Sequence, residues 1–298
     1  MQLLPRFEYV VPDNLSEAMA FLREYPQECL IMAGGTDVLV SMKGKKCSPR
    51  CVMDIKELLD LKGMRETKEG LELGALTTLY EIETSPAVIN RWPALAEAAG
   101  TVGSYQVRTR ATLGGNICNA SPSADTAIPL IALQALANIA GPKGLRTIPL
   151  ENVFKGPGEN ALDADELLIS VSVPNPSARS GCVYLKHSPR KAMDIAIVGV
   201  AAYVHLDDRD TCKAARICLG AVAPIPLRTK NAEDILVGQE LDEKLIALAA
   251  SVASQEAKPI SDVRSSADYR KAVLPVMIRR AIHDAVRRAS ERNRHEDL

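Results

Sequence analysis

The amino-acid sequence predicts a two-domain chain of mixed helix and strand, and three observations carry that reading. Its 298 residues reach the length at which a single hydrophobic core usually stops growing, about 250–300 residues. The first half alternates short apolar strands with short helices, whereas the last third turns from β-rich runs to long amphipathic helices. Between them lies a proline-rich segment, Pro174-Asn175-Pro176 through Ser180-Gly181, the best candidate boundary. Domains of 1–176 and 177–298 follow.

In chain order, Leu15, Ala18, Met19 and Leu22 recur at helical spacing within 15–25, and Cys29 to Met32 forms a compact apolar strand. The strand runs into Ala33-Gly34-Gly35-Thr36-Asp37, then a short helix from Val38 to Met42 and a strand from Cys51 to Ile55. Gly70 to Leu76 alternates as a half-buried strand, and Thr77-Thr78 caps a helix through Glu83. Pro93 to Gly100 reads as a helix ended by glycine. A second glycine turn, Thr112-Leu113-Gly114-Gly115-Asn116, precedes an apolar helix from Ile128 to Leu136 and strands at 137–140 and 166–173. Beyond the boundary, 182–186, 196–206 and 214–222 are β-rich, and 241–257 and 268–290 are helical, giving an antiparallel sheet backed by helices. Val273, Met277, Ala281, Ile282, Ala285 and Val286 share one face of the last helix. Arg279, Arg280, Arg287 and Arg288 are then its solvated face, in preference to a docking surface.

Composition narrows function by exclusion. Lys+Arg 36 against Asp+Glu 37 leaves no net field to draw nucleic acid or an anionic membrane, and an aromatic share of 4% argues against a base-stacking surface. The N-terminus shows no charged-then-apolar leader, and no run approaches the roughly 18 apolar residues of a membrane span, so a cytoplasmic location is expected. Seven scattered cysteines fit reduced thiols. Cys47 and Cys51 lack a second pair at ligand spacing, and the four histidines form no metal motif, so no metal site is expected.

Neither a G-x-G-x-x-G fingerprint nor a P-loop is present. The features that carry chemistry are the two Gly-Gly turns. Backbone N–H groups unshielded by Cβ atoms can donate to phosphate oxygens, and Thr36 and Asn116 add side-chain donors. One such turn usually only reverses the chain; a pair of them, each opening an apolar segment, points to a diphosphate.

The strings LIMAGGTDVLV and RATLGGNICNASPSADTAIPL resemble the two FAD-binding signatures of molybdenum-hydroxylase flavin subunits. The resemblance continues through Phe154 to Gly158, Asp165 to Leu168, Tyr184 to Lys186 and Ala192 to Ala196, nearly the whole chain. Order and spacing look most like the separate medium subunit of bacterial xanthine dehydrogenases. The resemblance implies an α+β fold: a two-subdomain FAD-binding domain of the vanillyl-alcohol-oxidase (PCMH) type, divided at about 1–58 and 59–176, then a C-terminal domain like that of CO dehydrogenase flavoprotein.

By position in those motifs, Leu30, Ile31, Met32, Ala33, Gly34, Gly35, Thr36 and Asp37 are implied to line the diphosphate and ribityl chain. Thr112, Leu113, Gly114, Gly115 and Asn116 hold the other side, Asp125 binds the polar chain, Leu168 packs on the cofactor and Lys186 lies near its isoalloxazine end. Read without the resemblance, Asp125 is a helix N-cap, Leu168 strand core and Lys186 a surface lysine. Some family members carry an aromatic residue about a dozen positions before the second glycine pair; here that stretch is Gly100 to Tyr105, with the tyrosine slightly later. No histidine precedes His187, so FAD is expected to be non-covalent, and Cys118 reads as packing.

The implied function is electron transfer, from two [2Fe–2S] clusters of a small partner subunit through FAD to NAD⁺, with molybdopterin held by a large partner. A dimer of heterotrimers, and purine metabolism with xanthine as substrate, are the corresponding expectations. A stand-alone FAD oxidase or reductase of the same fold competes, as does a flavin subunit acting with CO or another N-heterocycle. A scaffold that has lost FAD would not keep both glycine motifs, and the subtype with an added [4Fe–4S] cluster needs a cysteine-bearing insertion that is absent.

Overall fold

The computed structural model describes residues 4–296, arranged as three principal sheets and a small hairpin. Strand β1 (Glu8–Val10) leads through helix α1 (Leu15–Glu24) to β2 (Cys29–Met32), and α2 (Val38–Lys43) returns the chain to β3 (Cys51–Asp54). The strands pair in parallel in the order β1-β3-β2. Successive side chains alternate across this sheet. Met53 therefore packs with Ala18 and Leu22 of α1 on one face, while Met32 and Val52 meet Met42 of α2 on the other. The Asn14 side-chain Oδ1 starts α1 by accepting the Glu17 N–H at 2.9 Å.

The second unit opens with the hairpin β4 (Met64–Glu66) and β5 (Gly70–Gly74). Six short helices follow: α3 (Leu79–Thr84), α4 (Pro86–Arg91), α5 (Pro93–Gly100), α6 (Tyr105–Arg108), α7 (Leu113–Cys118) and α8 (Ala127–Ala132). The chain then forms β6 (Leu136–Gly141), β7 (Gly144–Pro149), the hairpin β8 (Phe154–Gly156) with β9 (Glu159–Asn160), and β10 (Leu167–Pro174). The antiparallel order β4-β5-β10-β6-β7 presents Leu73 and Val171 to a helical layer that buries Trp92, Leu95, Ile117 and Ile128. Thr78 and Glu81 close a reciprocal capping box at the start of α3.

The third sheet is an antiparallel meander of β11 (Ser180–His187), β12 (Val198–Leu206), β13 (Cys212–Gly220) and β14 (Leu227–Arg228). Helices α9 (Lys230–Leu236), α10 (Glu243–Glu256) and α11 (Ala267–Glu296) cover one face, where Val200, Ala202 and Val204 meet Leu274, Ile278 and Ile282. The other face carries Tyr184, Ala201, Tyr203 and Cys218 into the core of the second unit. Burial on both faces explains why β12 is an almost unbroken apolar run. Among the described residues no helix is long and apolar enough to cross a membrane.

Four local expectations are corrected. The second Gly-Gly is not a turn: Thr112 caps α7, and Gly114 and Gly115 lie in its first turn. The helix expected over 128–136 stops at Ala132, because Gln134 takes φ 59° and the chain enters β6. Gly100 is the last residue of α5 and not a left-handed cap; a Cβ there would meet the Glu83 carboxylate at 3.1 Å. Arg288 is not on a solvated face, since its guanidinium binds Glu97 of α5 and donates to the Cys182 carbonyl at 2.7 Å. Helices α4, α6 and α9 and strands β4, β7, β8, β9 and β14 were not foreseen.

Candidate functional site

A cavity of about 710 Å³ opens between the first and second units. Its walls come from the end of β2 and the following loop, from 102–125, from 160–168 and from Met193, Asp194 and Ile195 of the loop after β11. The size lies toward the upper end of the roughly 300–1,000 Å³ seen for small-molecule and cofactor sites.

Ala33, Gly34, Gly35, Thr36 and Asp37 all line it. The two glycines serve different ends. A Cβ on Gly34 would fall 2.0 Å from the Arg110 carbonyl oxygen, so this residue lets the first loop press against the segment leading into the second motif. Gly35 takes φ +76°, which turns the chain from β2 into α2. Among the described residues, the backbone N–H groups of Gly34, Gly35, Thr36 and Asp37 make no hydrogen bond to a protein acceptor. They are free donors on residues that line the cavity.

The second motif works differently. The Gly114 N–H is taken by the Ala75 carbonyl at 2.8 Å, the Gly115 N–H by the Thr112 hydroxyl at 3.1 Å and the Asn116 N–H by the Thr112 carbonyl at 3.0 Å. From Leu113, whose N–H goes to the Thr77 carbonyl, to Asn116 the backbone donors are therefore all taken, contrary to the symmetric role expected for the two motifs. Gly114 lacks a side chain because Ala75 lies 2.8 Å from where a Cβ would be. Around Gly115 a Cβ would meet only the Thr112 hydroxyl, so the backbone is bare toward the cavity. The Asn116 carbonyl accepts from Thr126 at 2.6 Å, which leaves its NH₂ as the group available to a ligand.

Asp125 lines the cavity but caps no helix; the N-cap of α8 is Thr126. Its carboxylate turns to the third sheet, where Lys186 Nζ donates to Oδ2 at 2.8 Å and Tyr184 Oη to Oδ1 at 2.5 Å. Burial pushes the Asp125 carboxyl up from its ordinary range, and the Lys186 ammonium and both hydrogen bonds pull against it. Burial and the neighbouring carboxylate push the Tyr184 phenol well up. Lys186, far from a surface lysine, has its side chain almost wholly enclosed and also donates to the Thr101 carbonyl at 3.0 Å.

Of the sixteen residues singled out from the sequence, Leu30, Ile31 and Leu168 also reach the cavity. Three do not. Met32 packs with Met42 and Val52 beneath the first sheet, Leu113 is in the main core, and Lys186 stands behind Asp125. Sequence reading missed Asn160, Asp163, Glu166 and the 193–195 loop as wall residues. Glu166 is held by Arg146 at 2.6 Å, and this guanidinium keeps its carboxyl below the usual range.

No aromatic ring, lysine, arginine or histidine is among the lining residues. Tyr105 instead lies half exposed, edge-on to Tyr80 with ring centroids 5.1 Å apart. Cys118 reaches the cavity, but burial pushes its thiol up to about 12. The walls thus hold no activated nucleophile and no acid–base pair. Their resources are free N–H donors, side-chain amides, carboxylates of which Asp125 is fixed by two donors, and aliphatic side chains, which suit binding of a large ligand whose anionic part meets the backbone donors.

Residues 5–176 match the family described as the FAD binding domain in molybdopterin dehydrogenase, and residues 183–285 match the CO dehydrogenase flavoprotein C-terminal domain. The chain is 33% identical to the putative xanthine dehydrogenase FAD-binding subunit of Escherichia coli (strain K12), over 92% of this chain and 94% of that one. It is 34% identical to the carbon monoxide dehydrogenase medium chain of Hydrogenophaga pseudoflava, over 94% of this chain and 97% of that one. A solved structure of Hydrogenophaga pseudoflava carbon monoxide dehydrogenase, which lacks the Mo-pyranopterin moiety of the molybdenum cofactor, superposes with a TM-score of 0.91 at 33% identity. That match covers 97% of this chain and 99% of that one. The α+β architecture and the order of its two regions are those of this group, and the chain belongs to the FAD-binding medium subunits of the molybdenum hydroxylase family.

Proposed function

We propose that this chain holds FAD non-covalently in the cavity and links [2Fe–2S] clusters of a small partner subunit to NAD⁺, in an assembly whose large subunit carries molybdopterin. The observation that carries the reading is the set of free N–H groups from Gly34 to Asp37, residues of a wall without cationic side chains. A diphosphate can be met there by backbone dipoles alone. The bare backbone at Gly115 and the Asn116 NH₂ fit the same ligand from the opposite side.

In this reading Leu30 through Asp37 hold the diphosphate and ribityl chain, Thr112 through Asn116 the other side, and Leu168 packs on the cofactor. Met32 and Leu113 act from behind, by shaping the backbone that their neighbours present. Asp125 accepts from the polar chain, and Lys186 acts on the cofactor through Asp125. Bound FAD supplies the chemistry that joins one-electron carriers to a hydride acceptor. The protein's part is to bind it and keep its environment fixed. The unit boundary at 176/177 and a cytoplasmic dimer of heterotrimers belong to the same proposal.

Xanthine as substrate of the assembly rests on the likeness to the Escherichia coli subunit, and CO, by the same reasoning, on the Hydrogenophaga chain. A stand-alone oxidase is disfavoured because the walls lack an acid–base pair of their own. The test is to purify the assembly with and without this chain. Xanthine-dependent NAD⁺ reduction should require the chain, while reduction of an artificial dye persists without it. NAD⁺ reduction that survives removal of the chain would overturn the assignment.

A further inference from the structure

We infer that Tyr184 is a positioning residue: by holding one oxygen of Asp125 while Lys186 holds the other, it fixes the plane of the carboxylate toward the ligand in the cavity. The inference rests on the proposal that FAD occupies that cavity, and it adds a residue from the third sheet to the site.

Tyr184 and Lys186 are two positions apart on β11 and so project from the same face of the sheet, out of one domain and into the other. A lysine contact to a single oxygen leaves a carboxylate free to rotate about its last bond. A second donor on the second oxygen removes that freedom, and Tyr184 Oη supplies it at 2.5 Å from Oδ1, with Lys186 Nζ 2.8 Å from Oδ2. An ionised carboxylate offers about four acceptor positions. Two are used from behind, and the rest remain for the cavity that Asp125 lines. Room for the phenol is provided on β12, where Gly199 pairs with Lys186 and a Cβ would stand 3.1 Å from the Tyr184 oxygen.

The competing view is that Tyr184 merely satisfies its own buried hydroxyl. A double-mutant cycle separates the two. FAD affinity is titrated by fluorescence in the full chain freed of flavin, for the wild type, Tyr184→Phe, Asp125→Asn and the double variant. Tyr184→Phe should weaken FAD about tenfold, the usual scale for a hydrogen bond to a charged group. In the Asp125→Asn background the same change should be silent. An unchanged affinity in Tyr184→Phe, or an equal loss in both backgrounds, overturns the positioning role and leaves FAD binding standing. If Asp125→Asn itself leaves FAD affinity unchanged, the role of Asp125 falls and this inference with it. A wild-type chain that takes up no FAD defeats the underlying functional proposal. Should Tyr184→Phe fail to fold, Gly199→Ala crowds the hydroxyl without removing it; a loss of a few fold that vanishes beside Asp125→Asn gives the same answer, and a loss that persists gives the opposite one.

Discussion

Asp125 and Lys186 form an ion pair across two domains, with Nζ 2.8 Å from Oδ2 and side chains only 8% and 7% exposed. Removing one member of such a pair strands the other in a poorly solvated place. Lys186→Met should therefore destabilise the chain by about 3–5 kcal/mol, measured by urea unfolding. The double change Asp125→Asn with Lys186→Met should recover part of that loss.

The pair also sets a pH signature. Burial raises the Asp125 carboxyl in the fold, so between its unfolded and folded values the native state binds more protons. Its contribution to stability then falls as pH rises above about 4. Lys186 and Tyr184 limit that rise. In Lys186→Met the loss extends to higher pH, so the variant should lie closer to the wild type at pH 5 than at pH 8. Thermal melts at the two values check this, and an equal gap at both would contradict it.

Gly34 and Gly115 should respond differently to alanine. Gly34→Ala forces a Cβ to within 2.0 Å of the Arg110 carbonyl oxygen, where only backbone movement gives relief. A cost of roughly 1–3 kcal/mol or more is expected, together with loss of flavin. Gly115→Ala lies in α7, where alanine is the better helix former by about 0.5–1 kcal/mol, offset by crowding of the Thr112 hydroxyl. Its melting temperature should stay near that of the wild type while flavin affinity drops. Calorimetry and flavin titration on the two variants decide it.

Cys118 faces the cavity yet should be inert. With its thiol pushed up to about 12, only about one in ten thousand or fewer is thiolate near pH 7.5. Iodoacetamide labelling followed by peptide mass spectrometry should show Cys118 modified only after unfolding. Rapid labelling in the native chain would contradict the raised thiol assigned to it.

Much of this architecture was legible because it follows local rules. The spacing of Leu15, Ala18 and Leu22, the threonine cap at Thr78 and the run from Val198 to Leu206 each translate directly into an element. The second glycine pair misled because Gly-Gly ordinarily breaks a helix. The overlooked signal was Thr112, a capping residue three positions before Gly115. The length of α8 was hidden in a continuous apolar stretch that Gln134 divides by a backbone angle no pattern reveals. Lys186 and Asp125 are sixty-one positions apart and meet only because β11 docks on the second unit. The wall at Met193 to Ile195 comes from a loop whose residues have no periodicity to read.

The most direct measurement is flavin content of the purified chain. The predicted result is about one FAD per chain, with absorbance bands near roughly 370 and 450 nm, released intact by denaturation. A chain that binds no flavin when FAD is supplied, or that retains it covalently after denaturation, would contradict the assignment of the cavity.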